Sequence, residues 1–308
     1  MVYNISVLFY RMYLKGSPGT LRAVYIIIME KKSRAFILSA AAVVAALVSI
    51  AVRVILTLTS LDVKYGVYKR GSVLPTVCHI ILALVCLAFI AVPLVKRKKL
   101  GVPQIPKVGD LTVFASCISA FLIAADIIIS VMNIVTKKAS ADAIGILTIV
   151  FGLGSVLYFL ANVKSGDRSP AAMTIASFFP TAFMATDLIN TYFDTSLLTT
   201  SPGKTMHELA LLAGMVYFLS ESRFQLGRTS AALFYASAPV AVVMLLTATI
   251  PELLFPSKLL IGNTDSYLVR AAEAAIGLYV LSRMFSSART GVRAPEEAKP
   301  ETAEAKTE

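Results

Sequence analysis

The segment TAFMATDLINTYFD, residues 181–194, is apolar enough to lie in lipid, yet it carries Asp187, Asn190 and Asp194 at spacings of three and four. Residues so spaced share one face of a helix. A single stripe would therefore present two carboxylates and an amide. An ionisable group inside a membrane span costs at least about 2.5–3.5 kcal/mol on insertion scales, and by default it marks a functional pathway or a pairing. Arg53, Asp126, Arg270 and Glu273 also fall inside apolar runs. Arg270 and Glu273 are three residues apart, close enough to touch on a helix. Asp126, between FLIAA and IIIS, has no charged neighbour in its own run and needs a partner from another helix or a proton.

By depth, all seven residues belong to the same half of the bilayer. Arg53, Asp126, Asp187, Asn190, Asp194, Arg270 and Glu273 are expected to face a polar vestibule open to the outside and to bind a small cation, a proton or a cationic solute. The alternative is that they bridge helices or a second membrane protein. In the opposite half only Glu221 and Arg223 come near the core, at a helix end where both are expected to reach water.

Other chemistry is not encoded recognisably. There is no GxxxxGK[ST] loop for nucleotide phosphates and no HExxH for zinc hydrolysis. GLGS at 152–155 lies within an apolar run rather than at a nucleophile elbow. His79 and His207 have no helical or hairpin ligand spacing to the carboxylates, so no metal, no cofactor and no catalytic residue is expected. Cys78, Cys86 and Cys117 sit in apolar runs without a CxxC pattern and read as small core residues.

The elements that must position these side chains follow from composition. Of 308 residues 57% are hydrophobic and 15% charged, with mean hydropathy +0.76. Soluble domains carry about a quarter charged residues, so the shortage points to lipid. Eight apolar runs, 35–58, 77–95, 111–135, 143–161, 171–193, 206–222, 230–251 and 266–284, are each near the ~20 residues that cross a bilayer. The expected fold is all-α, a polytopic transmembrane helix bundle of about eight spans. The sixth is the least apolar, with Glu208 and Glu221 at its ends.

Lys and Arg number 20 on one set of connectors and termini against 7 on the other. The positive-inside rule then places both termini in the cytoplasm of a cell-membrane protein. It also accounts for the net charge of +11 without nucleic acid. Residues 1–34 form a cytoplasmic N-terminal segment, read as an interfacial helix or a start-site extension. The membrane domain covers 35–284. Residues 285–308, rich in Pro, Glu, Ala and Lys, read as a disordered cytoplasmic tail.

A faint duplication, with Asp62 and Asp194 each preceding a histidine, would divide the bundle into two four-helix halves. Tyr158 and Tyr279 are expected at the inner interface. The functional reading is a small transporter or a solute- or ion-binding protein with an outward-facing acidic site. One alternative is a non-catalytic sensor, scaffold or accessory subunit. The other is a membrane-embedded enzyme acting on lipid-linked substrates.

Overall fold

Among the described residues, eight helices cover the eight expected apolar runs. The computed structural model describes residues 18–62, 67–69, 71–96, 102–103, 108–136, 142–163, 170–193, 201–225, 231–255, 265–290 and 292–293. The helices are α1 (Pro18–Thr59), α2 (Leu74–Val95), α3 (Asp110–Val135), α4 (Ala143–Val163), α5 (Pro170–Phe193), α6 (Pro202–Gln225), α7 (Ala231–Leu254) and α8 (Asp265–Thr290). Apolar sequence of this length takes helical form in lipid because every backbone N–H and C=O is then satisfied within its own segment. Between α1 and α2, β1 (Leu61–Asp62) pairs antiparallel with β2 (Val67–Tyr68), Leu61 opposite Tyr68. Gly71, next to this hairpin, has φ +87°, a left-handed conformation that glycine adopts without steric cost.

Six helices close a ring. α3 packs on α4, α4 on α5, α5 on α6, α6 on α7 and α7 on α8, and α8 returns to α3. α1 and α2 lie outside the ring against α7, and α1 also runs along α8. α7 is consequently the most enclosed span, with 83% of its apolar window buried against 11% for α2. Large apolar side chains such as Phe121, Ile175 and Leu84 point outward, where lipid takes the place of a protein core. At the α4–α5 contact, a Cβ on Gly154 would collide with the Phe179 ring, so only a hydrogen fits there.

Among the described residues, six helices are long and apolar enough to cross a membrane: α1 from Ala35, α2, α3, α4, α5 from Ala172 and α7 from Ala232. The chain is a multi-pass helical membrane protein. α6 and α8 are as long but more polar, and they are set among the other helices with that polarity turned inward. On α6 the residues Met206, His207, Ala210, Leu211, Tyr217, Phe218 and Glu221 are all buried.

The two ends of the bundle are marked by contacts. At the proximal end, Phe36 of α1 meets Phe285 of α8, and Thr112 of α3 meets Ser286. At the distal end α1 finishes and α8 begins. α8 extends six residues beyond the expected boundary at 284, because Phe285, Ser286 and Ser287 have packing and hydrogen-bond partners on α1, α3 and α7. Beyond it β4 (Val292–Arg293) pairs antiparallel with β3 (Val102–Pro103) of the α2–α3 connection. α1 is likewise one continuous helix from Pro18. The packing does not repeat between the two halves: α6 lies along α7, whereas α2 has no such interface with α3.

Candidate functional site

Six charged or titratable side chains from five helices converge at the distal end. Arg53 comes from the last turns of α1, Asp187 from the last turns of α5, and His207 from the first turns of α6. Glu252 lies near the end of α7, and Arg270 and Glu273 near the start of α8. The convergence follows from connectivity, since each of these helix ends lies at the same level of the bundle.

The contacts form a chain. Arg53 donates from Nη2 to Glu252 Oε1 at 2.9 Å and from Nη1 to the Thr247 carbonyl at 2.8 Å. The second oxygen of Glu252 lies 2.8 Å from Arg270 Nε. Arg270 Nη1 reaches Glu273 Oε2 at 3.4 Å and touches the His207 ring. His207 Nδ1 is 3.2 Å from Glu273 Oε2, and its Nε2 is 3.8 Å from Asp187 Oδ2. His207 and Glu273 are 1% and 0% exposed, so water contributes little to their solvation. The ionic partners must supply it.

Asp187 Oδ2 and Glu273 Oε1 have no hydrogen-bond donor among the described residues. Asp187, His207 and Glu273 each offer a ligand atom within 4.8 Å of the others. Two acceptors thus share one small space with no donor between them. Counting Asp187, Glu252 and Glu273 against Arg53 and Arg270, with a neutral imidazole, the cluster carries one uncompensated negative charge. Such a site is electrostatically complete only with one more cation, a proton included.

Four of the seven sequence candidates, Arg53, Asp187, Arg270 and Glu273, are brought together here. Asn190 is exposed on α5, so the stripe it was to share with Asp187 is split between the interior and the helix surface. Asp194 lies outside the described residues. Asp126 is buried in α3 and is partnered there. An apolar pocket of about 130 Å³ lies between α1 and α2, with Arg53, Thr247 and Met206 on its wall. His207 and Glu252 are the members that sequence reasoning missed. Glu252 falls one residue past the expected end of its run, after Pro251. Extending that helix by a turn would have found it.

The proximal half holds a second polar group where water-exposed ends were expected. Glu221 is fully buried, and its Oε1 accepts from Arg283 Nε at 2.9 Å and from the Tyr279 hydroxyl at 3.2 Å. The hydroxyls of Tyr279 and Tyr158 are 2.9 Å apart. These tyrosines are core residues rather than interfacial ones, because Glu221 on α6 gives the Tyr279 hydroxyl an internal acceptor and Phe159 and Phe218 pack around both rings. His79, the other histidine, sits on α2 against the Tyr68 ring and lines the same apolar pocket as Arg53.

No protein-family model matches the sequence, and searches of curated proteins and of solved structures find no match either.

Proposed function

We propose that this membrane protein binds a proton or small cation at Asp187 and Glu273 beside His207, and that it is a small transporter of that ion. The observation that carries the reading is the pair of buried carboxylate oxygens with no donor between them, in a cluster one positive charge short. Intramembrane carboxylates in such settings serve ion and proton pathways. The Lys and Arg asymmetry supports cytoplasmic termini, which turns the cluster outward in a cell membrane.

The test is flux. Purified protein in liposomes loaded with a pH-reporting dye should admit protons when a membrane potential is applied. Asp187→Asn and Glu273→Gln should abolish this while the variants remain helical and monodisperse. Wild-type liposomes impermeable to both protons and sodium, or variants with unaltered flux, would overturn the proposal.

A second reading rests on the Arg53–Glu252–Arg270 chain, which ties α1, α7 and α8 in dry contact. Under it the charges bridge helices in a non-transporting accessory subunit. The same substitutions would then lower abundance, with no flux to lose.

A further inference from the structure

The ligand chemistry of the distal cluster goes further than charge. One imidazole and two carboxylates, delivered by α5, α6 and α8, form a donor set used by divalent transition metals such as zinc. Ligand bonds of about 2.0–2.1 Å in a tetrahedral site hold donor atoms roughly 3.3–3.5 Å apart. One ligand atom from each of the three side chains lies within 4.8 Å of the other two, so a small inward movement of the side chains reaches that spacing. The unpartnered Glu273 Oε1 belongs to a side chain 1% exposed, so a buried acceptor is already aimed into the space.

We propose that Asp187, His207 and Glu273 ligate a divalent transition-metal ion, with Arg270 as a tethered competitor. The proposal rests on the reading of these carboxylates as a cation site and names the cation. The Arg270 guanidinium now touches both His207 and Glu273, the position an incoming ion would need. Its Nε lies 2.8 Å from Glu252 Oε2 in an ion pair that lacks hydrogen-bond alignment, so the guanidinium has a second carboxylate to turn toward when an ion enters.

Charge decides the affinity. The cluster moves from one negative charge to one positive charge when a divalent ion enters beside both arginines. Without Arg270 it ends neutral. Zinc therefore binds the native protein reversibly and binds an Arg270→Gln variant more tightly, by about tenfold or more.

Full-length protein in lipid nanodiscs, titrated with zinc by calorimetry and with cobalt by its visible absorption, provides the test. One ion per chain is expected, with the intense d–d bands of low-coordinate cobalt. His207→Ala and Asp187→Asn should each lose the bands, and Arg270→Gln should gain affinity. Should a ligand variant fail to fold, the Arg270→Gln gain remains a separate readout. Absence of saturable binding, or bands unaltered by His207→Ala, would overturn the metal assignment. If proton flux still depended on Asp187 and Glu273, only the metal would fall. Metal binding without any flux would retain the site and remove the transporter.

Discussion

Arg53 of α1 and Glu252 of α7, 199 residues apart in sequence, are joined at 2.9 Å with side chains 8% and 4% exposed. Because the other Glu252 oxygen faces Arg270, one carboxylate serves guanidiniums from two helices. α1 lies outside the six-helix ring, and this contact anchors its distal end to the ring.

Neutralising Glu252 should be costly. Glu252→Gln strands the buried Arg53 guanidinium and leaves Arg270 only its longer contact to Glu273, and breaking one partner of such a pair typically costs about 3–5 kcal/mol. Thermal denaturation in detergent should show a fall in midpoint of many degrees. An Arg53→Met, Glu252→Gln double variant should cost less than the two single effects added, since one of the stranded charges is gone.

At the other end, Tyr279→Phe removes the hydroxyl that bridges Tyr158 and Glu221. Buried groups left without a partner cost about 1–3 kcal/mol, and a midpoint shift of that size is expected. Arg283→Met should cost more, because it strands the Glu221 charge itself. Equal effects from the two substitutions would mean that Glu221 is neutral in the folded protein.

Asn190 and Asp187 should behave differently despite sharing a sequence stripe. Asn190→Ala alters only an exposed position and should leave stability within about 0.5 kcal/mol and ion binding intact. Asp187→Asn should abolish ion uptake. Loss of uptake in Asn190→Ala would place the site on the outer surface of α5 instead of inside the bundle.

Helix positions were legible because lipid imposes a local rule. The runs beginning at 77, 111 and 143 match α2, α3 and α4 to within a few residues, since nothing but a helix satisfies their backbone. The clustering of Arg53, Asp187, Arg270 and Glu273 was partly legible, because depth in the membrane can be counted along each run. Depth fixes only one of the three coordinates. Asn190 shares the depth of Asp187 but faces away. Glu221 lies near a helix end, yet neighbouring helices cover it.

Sequence by itself determined that the chain is a multi-helix membrane protein and that Arg53, Asp187, Arg270 and Glu273 lie at similar depths in their runs. Both are properties of single segments against lipid. Only the tertiary structure decided which charges meet. Arg270 finds His207 across 63 residues, and Glu221 finds Arg283 across 62. Those meetings depend on how helices rotate and pack, and in lipid that is settled by close fit and buried polar contacts between helices.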